Sequence, residues 1–127
     1  MSTLTPTQIS VLIVSGDQTH QLLLQKKIKT VEGWTLAIHA APTSEAALEM
    51  LRETTYDLVF IDDNKPSLDG LAVLSLVRQH FTKSAVVIVS PGGDASSAVE
   101  AMKKGALDYL THAEFKTLDV DVLFGRL

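Results

Sequence analysis

Three short runs of consecutive apolar residues stand out along the chain: Val11-Leu12-Ile13-Val14, Leu58-Val59-Phe60-Ile61 and Ala85-Val86-Val87-Ile88-Val89. Each is continuous rather than alternating, rich in β-branched or large side chains, and followed by a small or acidic residue. Such runs suit strands buried on both faces, as in a parallel sheet. Thr35 to Ile38 and Leu107 to Leu110 are weaker strand candidates. Helical patterns lie between the runs. Thr19 to Lys29 carries Leu22, Leu23, Leu24 and Ile28. Thr43 can cap a helix whose apolar face is Ala46, Ala47, Met50 and Leu51. Leu71, Leu74 and Val77 mark a third helix starting near Gly70. Asp94 can cap a fourth, with Ala98, Ala101 and Met102 facing inward and Gly105 ending it. A last helix is predicted from near Leu118 to Leu127. Strand and helix alternate five times, which implies a parallel sheet with helices on both faces, joined by right-handed crossovers.

The chain has 127 residues, the usual size of one domain, and no internal repeat, low-complexity segment or linker. With 46% hydrophobic residues it can build a core without staples, and with no cysteine it has neither disulfides nor thiol chemistry. The cytoplasm is the compartment this suggests. A net charge of -4, with both signs mixed along the chain, leaves no basic stripe for nucleic acid. No apolar run approaches the roughly 20 residues of a membrane span, and the polar start lacks the pattern of a signal peptide. The abrupt end at Leu127 suggests a domain, residues 1–127, belonging to a longer protein.

In open parallel sheets, ligands bind beyond the carboxyl ends of the strands. The residues that follow the runs are therefore the candidates: Ser15-Gly16-Asp17, Asp62-Asp63-Asn64, Ser90-Pro91-Gly92-Gly93 and Thr111-His112. Asp62 closes a run of four apolar residues, where a carboxylate must be paired or hydrogen-bonded. A strand-end aspartate bonding loop amides and a ligand-binding or covalent role are both open. Asp63 points to the opposite face by alternation and reads as a solvated charge. His20, His39 and His80 show no metal-ligand spacing and read as surface or helix-face residues. Trp34 reads as packing on the sheet edge, and Gly92-Gly93 as a flexible approach to the Asp94 cap.

The segment from Asp57 to Gly70, with Asp62 closing the strand, Pro66 four residues on and then Asp69-Gly70, resembles the signature of response-regulator receiver domains. The resemblance extends over the whole chain. It implies a flavodoxin-like fold with strand order 2-1-3-4-5 and a place in two-component phosphorelay signalling. By that resemblance Asp62 would accept a phosphoryl group from a histidine kinase or phosphotransfer protein, forming an aspartyl phosphate. Asn64 would offer its backbone carbonyl to Mg2+, Ser90 would be the switch hydroxyl and Tyr109 the switch aromatic. No enzymatic activity is implied beyond self-phosphorylation at Asp62.

The sequence also departs from that pattern. The two adjacent acids that hold Mg2+ in receivers are here Ser15 and Gly16, with Asp17 one residue late and a doubtful ligand. Mg2+ prefers octahedral oxygen ligands and relies on carboxylates, so any Mg2+ binding should be weak. The lysine position is His112, a shorter group that is mostly neutral at pH 7, and the usual following proline is Ala113. Pro91 stiffens the backbone after Ser90.

Three readings follow. One is a pseudo-receiver working by protein contacts on a fused or partner output domain. The second is a conventionally phosphorylated receiver. The third is a flavodoxin-like cofactor binder using the Ser15-to-Thr19 loop as a phosphate cradle. The tail from Asp108 to Phe115 resembles receivers joined to sensory, kinase or cyclic-di-GMP output domains. A contact face carrying Val99, Lys103, Lys104 and Tyr109 is expected, with a homodimer as one use of it. Neither nucleic acid nor membrane is expected as a direct partner.

Overall fold

A computed structural model describes residues 7–65, 67–92 and 95–127 of the chain. Pro66, Gly93 and the expected helix cap Asp94 lie outside the described residues. Five strands, β1 (Thr7–Val14), β2 (Trp34–Ala41), β3 (Leu58–Asp62), β4 (Ala85–Ser90) and β5 (Asp108–Thr111), form one sheet. All pairs are parallel and the order is β2-β1-β3-β4-β5. The helices are α1 (Gln18–Ile28), α2 (Ser44–Glu53), α3 (Gly70–His80), α4 (Ala95–Lys103), α5 (His112–Thr117) and α6 (Val120–Phe124).

The three apolar runs lie in β1, β3 and β4, with β1 starting four residues before its run, and every residue of β3 is buried. Alternation divides their side chains between two cores. Leu12, Val14, Val59, Ile61, Val86 and Ile88 pack with Ala47, Leu51, Leu74, Val77 and Ala101 from α2, α3 and α4. Val11, Ile13, Leu58, Phe60, Val87 and Val89 pack with Leu24, Ile28, Phe115, Leu123 and Phe124 from α1, α5 and α6. Each strand thus serves both layers, which is why the runs are apolar without a break. Trp34 sits on the edge strand β2 and meets Phe124 edge-to-face at 5.6 Å.

Several elements differ from expectation. The expected last helix is the short α6, capped by Asp119, whose side chain accepts from Asp121 N and Val122 N, and a further short helix, α5, was not expected ahead of it; Leu118 between the two leaves the helical conformation. Of the leucines on α1 only Leu24 is buried, while Leu22 and Leu23 stay exposed, since three consecutive helical positions cannot share one face. Met102, expected inward, is also exposed, and Ala101 alone is fully buried on α4. β2 is twice as long as its apolar segment suggested, running Trp34–Ala41. Thr43 caps α2 as expected, and Gly105 turns the chain after α4 at φ 96°.

Candidate functional site

The carboxyl ends of the strands bring Ser15, Asp62, Ser90, Thr111 and His112 to one edge. Asp62 pairs in register with Val89, and Ser90 with Thr111. Asp62 is 1% exposed. It is in phase with Leu58 and Phe60, so its side chain emerges on the layer of α1 and α5. Both helices begin at this edge, and each places a histidine in its first turn.

Those two histidines flank the carboxylate. His20 Nδ1 lies 3.2 Å from Asp62 Oδ2, and His112 Nε2 lies 3.2 Å from Asp62 Oδ1. Their rings are 4.6 Å apart, centre to centre. The Ser15 hydroxyl lies 2.8 Å from Asp62 Oδ2 and 2.9 Å from the Asp17 carbonyl, and it accepts from Asp17 N at 3.2 Å. His20 and His112 do not make equivalent contacts. His20 Nδ1 has hydrogen-bond geometry to the carboxylate. His112 Nε2 and Asp62 Oδ1 are close but misaligned, and among the described residues both are buried without a hydrogen-bond partner. One atom from each of His20, Asp62 and His112 lies within 4.8 Å of the other two. Beside them α1 and α5 enclose a cavity of ≈ 290 Å³ lined by His20, Leu23, Leu24, Lys27, His112 and Phe115.

The remaining candidates fall around this cluster. Asp17 caps α1, accepting from His20 N at 3.0 Å. That N–H holds its carboxyl below the ordinary carboxylate range against the opposing effect of partial burial, and the nearby His20 and His112 rings act in the same direction as the N–H. Gly16 adds no side chain, and a Cβ there would meet only the Pro42 carbonyl at 3.5 Å. The Asn64 carbonyl accepts from Leu68 N and the Ser67 hydroxyl, both at 2.8 Å. Ser90 is buried and Tyr109 half-buried against the α2–α3–α4 layer.

Two expectations about side chains need correction. Asp63 is buried rather than solvated; its Oδ1 accepts from Gly70 N at 2.7 Å, fixing the start of α3 against β3. His20 is part of the Asp62 cluster rather than a plain surface residue. The sequence carried its signal, because His20, Leu24 and Ile28 recur at the helical period on the inward stripe of α1. The loop after β1 does not stand open as a phosphate cradle, since the Ser15 hydroxyl turns inward onto Asp62 and Asp17.

Comparison with known proteins bears on the family and the fold. The chain is 35% identical to the transcriptional regulatory protein ZraR of Escherichia coli, over 98% of this chain and 26% of that protein. It is 26% identical to the regulatory protein AtoC of Escherichia coli, over 92% of this chain and 24% of that protein. The chain therefore spans about a quarter of the length of these curated relatives. Among solved structures, the receiver domain of the Francisella response regulator 1452 superposes with a TM-score of 0.76 at 26% identity, covering 93% of this chain and 98% of that one. A response regulator receiver domain protein from Clostridium thermocellum superposes at 0.73 with 23% identity, covering 93% and 90%, a likeness of fold. Receiver domains commonly bind Mg2+ at an acidic site and are generally not enzymes. The family profile described as response regulator receiver domain matches residues 11–124, and the chain belongs to that family.

Proposed function

We propose that this receiver acts chiefly through protein contacts, with Asp62 serving as a poor phosphoacceptor under Mg2+-dependent conditions. The observation that carries this reading is the company Asp62 keeps among the described residues: a serine hydroxyl and two imidazoles, with no second carboxylate in the cluster. The residues present do not fit Mg2+, which requires hard oxygen ligands in near-octahedral order. Ser15 spends its hydroxyl locally, Gly16 has no donor and Asp17 is committed to capping α1. The Asn64 carbonyl already accepts two hydrogen bonds. Attack by a carboxylate on a dianionic phosphoryl donor brings like charges together, so it depends on fixed positive groups to neutralise them. His112 is a shorter and conditional substitute for a lysine at this position.

The contact face we assign is α4, β5 and α5. Val99 and Met102 are exposed there beside Lys103, while Lys104 leans back toward Glu100 and the Ser75 hydroxyl. Because the relatives are transcriptional regulators in which this domain is one quarter, a fused output domain acting on transcription is the partner we favour over the sensory, kinase or cyclic-di-GMP types. The described helices include none long and apolar enough to cross a membrane; a cytoplasmic setting is part of the proposal.

The test is incubation with acetyl phosphate and Mg2+, followed by intact-mass measurement. The natural chain should gain little phosphoryl mass. The triple variant Ser15→Asp, Gly16→Asp, His112→Lys should gain it, and adding Asp62→Ala should remove it. Losing one electrostatic contact of this kind costs about 3 kcal/mol, roughly a hundredfold in rate. If the natural chain is labelled as fast as ordinary receivers and Asp62→Ala abolishes labelling, the domain is a conventional phosphorylated receiver.

A further inference from the structure

We propose that His20 Nδ1, His112 Nε2 and the Asp62 carboxylate form a binding site for a divalent transition metal of the Zn2+ class. The donor set is two imidazoles and one carboxylate, which suits Zn2+, Cu2+, Ni2+ or Fe2+ and not Mg2+.

Distance supports the assignment. At Zn2+ bond lengths of about 2.0–2.2 Å, tetrahedral ligand atoms stand about 3.3–3.6 Å apart. Each imidazole nitrogen here is 3.2 Å from a different oxygen of the carboxylate, and one atom from each of the three side chains lies within 4.8 Å of the other two, so the groups draw together to close on an ion. The second, independent observation is the pair of buried atoms without hydrogen-bond partners, Asp62 Oδ1 and His112 Nε2. Buried polar groups are normally satisfied. These two sit within contact distance yet are not aligned as donor and acceptor. A buried carboxylate oxygen and a buried imidazole nitrogen that are close yet not hydrogen-bonded are a pair that one ion can satisfy together. Access is available, because the His20 and His112 side chains are 36% and 26% exposed and border the cavity between α1 and α5. Three protein ligands leave a fourth position for water or another small donor.

An ion held there joins the first turns of α1 and α5 to the end of β3. The site thus stabilises one arrangement of these elements, by the ordinary linkage of ligand binding to the folded state.

The experiment is calorimetric titration of the purified chain with Zn2+, and separately with Mg2+, together with Co2+ absorption spectroscopy. We expect one Zn2+ per chain, an intense visible Co2+ band of a four-coordinate N/O site, no Mg2+ heat, and a rise in Tm with Zn2+. His20→Ala and His112→Ala should each weaken Zn2+ binding at least tenfold, while His39→Ala and His80→Ala leave it unchanged. In the natural chain, the ring-nitrogen resonances of His20 and His112 should shift on Zn2+ addition and those of His39 and His80 should not. This last readout needs no variant to fold. Absence of binding at millimolar Zn2+, or binding indifferent to both His20→Ala and His112→Ala, overturns the site. Neither result bears on phosphorylation, which is read separately by mass with Mg2+ and acetyl phosphate.

Discussion

Asp62 and Asp63 are consecutive, both buried, and turned to opposite faces of one sheet. On the α3 side, Asp63 meets a backbone N–H, that of Gly70, at 2.7 Å. On the α1–α5 side, Asp62 meets a hydroxyl and two imidazoles, and one of its oxygens has no hydrogen-bond partner among the described residues. Burial alone does not distinguish a structural carboxylate from a reactive one. The partners do. A backbone amide cannot change charge or move without unfolding α3, so Asp63 is fixed as a brace. Imidazoles and hydroxyls can rotate or bind a ligand, so Asp62 remains open to chemistry.

The sharpest way to break this comparison is to truncate each aspartate and measure urea unfolding. Asp63→Ala should cost about 2–3 kcal/mol, because the buried Gly70 N–H loses a charged acceptor and nothing replaces it. Asp62→Ala should change stability by less than about 1 kcal/mol. It removes a carboxylate whose burial is itself expensive, while the Ser15 hydroxyl keeps the Asp17 carbonyl, His112 Nε2 has no hydrogen bond to lose and the His20 side chain is partly exposed. Equal costs at the two positions would mean that Asp62 is also a brace.

Gly70→Ala tests the brace from the other side and has a smaller expected effect. A Cβ at Gly70 would stand 3.2 Å from Asp63 Cβ, Asp63 Oδ1 and Ile88 Cγ2. Ile88 is fully buried and Asp63 is held by the very amide being substituted, so neither can yield easily. Overpacking costs roughly 1–3 kcal/mol, and the gain from a stiffer unfolded chain returns only about 0.4–1. A net loss of about 1 kcal/mol is expected by the same measurement. The site on the opposite face should keep its Zn2+ affinity.

The sheet was readable in the sequence because strand segments buried on both faces must be apolar, and the segments 11–14, 58–61 and 86–89 of β1, β3 and β4 are. The position of Asp62 was readable for the same reason: it ends such a run. His20 was missed because histidines were judged by their spacing along the chain. Its partner Asp62 is 42 residues away, and only the crossover of α1 over the sheet brings them together. Combining the two periods would have found it. Asp62 shares the phase of Leu58 and Phe60 on β3, and His20 shares the phase of Leu24 and Ile28 on α1. Asp63 was misjudged because alternation gives a direction and says nothing about whether a helix N-terminus waits there. The short helix α5 was missed because Thr111 was read only as a strand end, whereas Thr111 and Glu114 form a capping box that starts a helix there.

Ser15 gives the finest test of the contrast. Its single hydroxyl proton is contested by Asp62 Oδ2 at 2.8 Å and the Asp17 carbonyl at 2.9 Å. If the proton goes chiefly to Asp62, it offsets part of the cost of keeping that carboxylate buried. Ser15→Ala should then destabilise by about 1 kcal/mol, the usual net worth of one buried hydrogen bond. If it goes to Asp17, the same substitution loosens only the turn before α1. A double-mutant cycle separates the two, since residues in contact show coupling and independent ones add. Combined with Asp62→Ala, the cost of Ser15→Ala should largely vanish, because the acceptor is already gone. Combined with Asp63→Ala it should persist in full, because that carboxylate lies on the other face and shares no partner with Ser15. Additivity in both cycles would place the proton on Asp17 and leave Asp62 held by the imidazoles alone.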